Sequence, residues 1–217
     1  MKLQIVKKLI TAGVILAHMS GCATYTAYYD IALQEVERPA QAKTEYGDNK
    51  ILKIQDVNIG AYNYEDDMVR IIWIFTPSRI SFSLQNKTAH TIKIIWDEAA
   101  FLDENSLNHR VIHSGIKYND RYKPQPPTII MRNSSINDVI IPASYVYAVQ
   151  GSGETRWAEK PIFPCYGQEA SLLQEAAEKS INKNIQILLP LEANSFLHEY
   201  IFTFKVANVT VRELKPY

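Results

Sequence analysis

From about residue 50 onward, the hydrophobic positions of this chain recur with a period of two. Ile80, Phe82 and Leu84 alternate with Ser81, Ser83 and Gln85, and Ile92, Ile94 and Trp96 alternate with Lys93 and Ile95. Such alternation sends one row of side chains to a core and the other to solvent, so each run predicts a β-strand. Asn86-Lys87-Thr88-Ala89-His90 between them predicts a hairpin loop. Upstream, Val69–Thr76 is a continuous β-branched and aromatic run, the pattern of a strand covered on both faces, and Tyr64-Glu65-Asp66-Asp67 before it reads as an acidic turn. Downstream, Asp103-Glu104-Asn105-Ser106 predicts the turn of a second hairpin, with Arg110–His113 in the returning strand. Further strands are expected near Thr128–Met131, Val139–Ile141, Tyr145–Val149 and Ile185–Leu189. A last one starts near Tyr200, where Tyr200, Phe202, Phe204 and Val206 share one face.

Two segments break this period. In the first, residues 150–184, Gly151-Ser152-Gly153 marks a hinge. Gln168–Ser180 there predicts a helix, with Leu172, Leu173, Ala176 and Ala177 as its apolar stripe, Glu169 near its start and Lys179 near its end. In the second, residues 22–48, Tyr25, Tyr28, Tyr29, Ala32 and Val36 fall at helical spacing, and Arg38-Pro39 ends any helix. This segment is expected to be a short helix or a tether, its tyrosines either packed on the domain or resting at lipid headgroups. Short strands with frequent turns and few helical crossovers specify a mainly β fold. The expected architecture is an antiparallel immunoglobulin-like β-sandwich over residues 49–217, with one short helical insertion at about 150–184; a β-barrel is the alternative.

The N-terminus follows a different logic. Lys2, Lys7 and Lys8 precede an apolar run from Leu9 to Ala17, and Met19-Ser20-Gly21-Cys22 follows. A positive stub, a short apolar stretch and small residues are the order of a signal peptide. The run is too short for a membrane-spanning helix, which takes about 20 apolar residues. An ordinary secretory signal that leaves Cys22 as a free thiol is the other reading. The small pair before Cys22 resembles the lipobox of bacterial lipoproteins, with Met19 where leucine is commoner. That resemblance covers residues 1–22 alone. It implies removal of residues 1–21, a lipid on Cys22, and membrane attachment through that lipid. Ala23 in place of an aspartate implies sorting to the outer membrane, with the domain facing the periplasm.

Charge and composition narrow the partners. The chain has 23 basic and 23 acidic residues; with the signal removed, 20 basic face 23 acidic, a net charge of −3. Nucleic-acid-binding domains carry a basic excess, so no nucleic-acid partner is expected. Cys165 is the one cysteine besides Cys22. It is expected as a buried small apolar residue, or else in an intermolecular disulfide. Pro124, Pro126 and Pro127 read as an edge connector, with docking to an aromatic groove as the alternative.

The search for chemistry returns little. His109 and His113 have zinc-helix spacing, but Val111 and Ile112 between them predict a strand. Residues four apart along a strand lie roughly 13 Å apart, too far to share one ion with nitrogens at about 2 Å. There is no Gly-x-Ser-x-Gly, no phosphate loop and no dinucleotide fingerprint. The acidic pairs Asp66-Asp67, Asp97-Glu98 and Asp103-Glu104 read as solvated turn charges. Trp73 and Trp96 lie within apolar strands and are expected in the core. Trp157, beside Arg156 in the irregular segment, has the composition of an interface anchor, or else covers the end of the sandwich. The functional expectation is a non-enzymatic lipoprotein that binds another envelope protein or supports an outer-membrane assembly. It has lipidation at Cys22, no catalytic, metal or cofactor residues, and Arg156 and Trp157 as candidate contacts. A tethered glycan-binding module or polysaccharide hydrolase is the alternative.

Overall fold

The computed structural model describes residues 24–38, 50–54, 61–150, 153 and 155–214. Cys22, the signal segment, the 39–48 part of the expected tether and the Gly151-Ser152 hinge lie outside them. The described chain is mainly β, with every strand pairing antiparallel and one α-helix among the described residues.

One layer is built on two long strands, β1 (Tyr25–Glu37) and β15 (Phe196–Glu213), which pair along nearly all of β1. The two-residue strand β13 (Tyr166–Gly167) borders β1. On the other side of β15 lies β14 (Asn184–Ala193), and beyond β14 come β7 (Ala100–Leu102) and β6 (Ile92–Ile94), with β9 (Thr128–Ile130) on β6. The other layer runs β10 (Ser135–Pro142), β5 (Ile80–Asn86), β4 (Val69–Phe75), β3 (Ala61–Glu65) and β2 (Lys50–Ile54). Strand β8 (Asn108–Ile112) joins the layers: residues 108–110 pair with β7, while Val111 and Ile112 pair with β10. A short hairpin, β11 (Val146–Val149) with β12 (Arg156–Glu159), forms a separate two-stranded sheet. The curled sheet is consistent with the expected sandwich or barrel class.

The core lies where the inner faces meet. Trp73 on β4 contacts Phe202 and Phe204 on β15 with centroids 4.9 and 5.6 Å apart, both edge-on, the preferred aromatic geometry. Trp73 and Trp96 are fully buried. The helix α1 (Ala170–Glu178) falls within the expected Gln168–Ser180. Its Leu173 and Ala177 pack on Ala27 and Val209, whereas Leu172, counted in the stripe, is exposed. The helix covers the inner face of β1 and β15 near the chain's N-terminal side.

Two expectations are corrected. Residues 25–37 form a strand, neither helix nor tether. Ala27, Tyr29, Ile31 and Leu33 point inward with period two, but a bulge between Leu33 and Glu35 leaves Gln34 unpaired and delays the next inward residue to Val36. That slip, with Ala32 only half-buried, imitates a helical spacing. Asn86–His90 is also no hairpin, because β5 pairs with β4 and β10 while β6 pairs with β14 and β9. The segment crosses between layers. Asn86, fully buried, pins it by donating to the carbonyls of His90 (2.7 Å) and Ile130 (3.1 Å) and accepting from the Thr88 amide (2.9 Å). The hairpin of β7 and β8 around Asp103–Ser106 forms as expected.

Candidate functional site

Three buried carboxylates organise the polar interior, and one of them overturns the reading of Asp66 as a solvated turn charge. Asp66 follows β3 and is only 2 % exposed. Its Oδ1 accepts the amides of Met68 (2.9 Å) and Val69 (2.8 Å), which folds the turn into β4. Its Oδ2 accepts Tyr64 Oη at 2.9 Å, Tyr200 Oη at 3.0 Å and Arg38 Nη1 at 3.1 Å. Lys87 Nζ caps the Asp66 carbonyl and pairs with Glu65 at 2.8 Å. Burial, reinforced by the Asp66 charge, pushes both tyrosine hydroxyls above their ordinary range, so both stay protonated donors. Tyr200 belongs to β15 and Tyr64 to β3, so this carboxylate ties one layer to the other.

Asp103 is likewise buried, against its reading as a free turn charge. Its Oδ1 accepts the Asn105 and Leu107 amides at 2.9 Å each. Its Oδ2 faces His109 Nε2 at 3.1 Å, and His109 Nδ1 lies 2.7 Å from the exposed Ser144 Oγ. Burial raises the Asp103 carboxyl, but the Leu107 amide, His109 and the Asn105 amide outweigh it and hold it below the usual value. With Asp103 accepting from Nε2–H, the other ring nitrogen is free to accept the serine hydroxyl proton. This is the connectivity of a serine-activating relay with the two ring nitrogens exchanged. The lack of a Gly-x-Ser-x-Gly sequence hid it, since Ser144 follows β10 in a short 3-10 turn (Ala143–Tyr145). The same contacts also serve packing: the His109 ring lies 5.2 Å from Tyr145 and 6.1 Å from Phe101.

His113 has a separate carboxylate. Its Nδ1 lies 3.2 Å from Asp138 Oδ2, and its ring stacks on Trp96 at 4.3 Å and 2°. Burial raises Asp138, yet hydrogen bonds from His113 and the Ser114 and Val139 amides hold it low. The two histidines lie on and just beyond one strand with different partners. Among the described residues, no group of three His, Cys, Asp or Glu side chains is placed to hold a metal.

The expected contact pair sits on β12. Trp157 is half-buried against Ile112, Ile141, Ala143 and Val146, with Tyr118 at 6.1 Å and the Arg121 guanidinium 5.0 Å above its ring. Arg156 is exposed. Below them Glu159 takes a two-pronged ion pair from Arg79 (2.6 and 2.8 Å) and the Tyr118 hydroxyl. Burial raises the Glu159 carboxyl, and these donors together with Ser78 bring it below its ordinary value. Cys165 is buried and free, its thiol pushed up to about 11 by burial. It lines an apolar cavity of about 190 Å³ with Ala27, Tyr29, Ile31, Phe75 and Phe163. The proline segment runs as a connector into β9; Gln125 within it is buried and donates to the Val111 carbonyl at 2.8 Å.

Comparison with protein-family models, curated proteins and solved structures finds no match to this chain.

Proposed function

We propose that this protein is a bacterial envelope lipoprotein, lipidated on Cys22, whose β-domain serves a non-enzymatic binding or structural role in an outer-membrane assembly. The carrying observation is Met19-Ser20-Gly21-Cys22 directly behind the positive stub and the apolar run. The polar interior supports a structural role. Asp66, Asp138 and Glu159 are each taken up by internal donors, which rigidifies the domain and leaves their carboxylates to no ligand. The separate hairpin of β11 and β12 offers Tyr147, Val149 and Arg156 to a protein partner. Replacing Cys22 with Ser and fractionating the cells tests the anchor. The wild type is expected in the membrane pellet with an acyl mass on Cys22, the variant in the soluble fraction; a variant that stays in the pellet refutes lipid anchoring.

A tethered hydrolase is the second reading, favoured by Ser144, His109 and Asp103 alone. A fluorophosphonate that labels the wild type but not Ser144→Ala would establish it in place of the non-enzymatic role.

A further inference from the structure

Strand β1 begins three residues after Cys22. Three residues span at most about 11 Å, so a lipid on Cys22 brings the first turn of the sheet to the bilayer surface. Residues directly opposite one another in an antiparallel pair share a face, as do residues two apart along a strand. Thr26 is opposite Tyr166 on β13 and Arg212 on β15, so Tyr166, Arg212 and Tyr28 share one face. Leu214 continues that row, its amide donating to the Thr24 carbonyl at 2.7 Å. Three apolar or aromatic side chains on this face are open to solvent, Tyr166 at 59 %, Tyr28 at 52 % and Leu214 at 49 %, around the buried Thr26, with Thr210 exposed opposite Tyr28. The Arg212 guanidinium lies 5.6 Å over the Tyr28 ring. Asp30, exposed two residues further along β1, bounds the patch. Tyr29, by contrast, turns inward and packs against Phe163, their rings tilted by 31° with centroids 5.0 Å apart.

We infer that this face, formed by Leu214, Tyr166, Tyr28 and Arg212, rests in the headgroup layer of the bilayer that holds the anchor and sets the orientation of the domain. The inference rests on the lipid-anchor reading. Tyrosine is favoured at that depth because its ring is apolar and its hydroxyl is wet, and arginine keeps its charge among phosphates while its stem lies on apolar surface. The occupant is the bilayer rather than a protein because the patch surrounds the strand end nearest Cys22. The other end of β15, at Phe196, lies 17 residues away along the strand from Glu213, a separation of up to about 55 Å at 3.3 Å per residue.

The test uses the full lipoprotein in vesicles of phosphatidylethanolamine and phosphatidylglycerol, after mass analysis of Cys22. Tyr28→Cys, Leu214→Cys and Phe196→Cys each receive a charged, membrane-impermeant maleimide. Each is compared with the same substitution in soluble Cys22→Ser protein. Cys165, being buried, contributes little background, and its continued silence reports that each variant is folded. Several-fold slower labelling at positions 28 and 214 on vesicles, with position 196 unchanged, is the expected result. Equal rates at all three positions on a protein with lipidated Cys22 overturn the inference and leave the anchor standing. A Cys22 without lipid overturns both.

Discussion

Asp66 shows how far one side chain departs from what its neighbours suggest. Tyr64-Glu65-Asp66-Asp67 reads as a solvated turn, yet Asp66 accepts five hydrogen bonds beneath the surface. The amides two and three residues on that donate to it are a local turn habit of aspartate, legible in the sequence. Tyr200, 134 residues away, was not. Removing the carboxylate takes the shared buried acceptor from a guanidinium, two hydroxyls and two amides, so Asp66→Ala is expected to cost about 3–5 kcal/mol. Tyr200→Phe removes one donor of five and is expected to cost about 1 kcal/mol. Urea unfolding of both variants checks the ranking; near-equal losses would show that Asp66 is no hub. Cys165 is buried, as its apolar setting predicts.

Among the elements, hairpins with turns rich in polar residues were readable, because the turn chemistry lies within a few residues. Asp103–Ser106 is one case. The link between β14 and β15 is another kind. Asn194 and Ser195 have φ of 50° and 68°, left-handed at both positions, and Ala193 pairs with Phe196 across them. This is the two-residue turn that glycine fits best at its second place. Ser195→Gly is therefore expected to raise stability by about 0.5–1 kcal/mol by relieving left-handed strain in a side-chain-bearing residue. A lower urea midpoint for this variant would show that the Ser195 side chain contributes more than its backbone costs. Strand β1 carries a helix-like spacing because its bulge shifts the period by one residue, a displacement that only pairing with β15 reveals. The link from β5 to β6 is ambiguous in sequence because a polar five-residue segment suits a hairpin and a crossover alike. The choice rests with Asn86, whose side chain replaces the ladder a hairpin would make.

At the scale of the whole molecule, the buried carboxylates predict the acid limb of stability. Asp103, Asp138 and Glu159 are all held below their ordinary values. A depressed carboxylate contributes stability that is present above the unfolded-state values of about 3.9 and 4.3. That stability is lost as pH falls through the lower folded values. The urea midpoint is expected to be flat from neutral pH to about 5 and to fall below about 4. Asp138→Asn should flatten part of that limb while lowering stability at neutral pH. An acid limb as steep as the wild type's would remove Asp138 from the explanation. By itself, the sequence determined the mainly β class, most strand positions, the helix at 170–178, the buried tryptophans and the N-terminal motif. These depend on side-chain period, turn chemistry and composition, all local along the chain. Tertiary structure alone decided which strands pair, that residues 25–37 form a strand, that Asp66 and Asp103 are buried, and that Asp103, His109 and Ser144 meet. Those outcomes come from contacts between residues far apart in sequence, whose energies no local pattern contains.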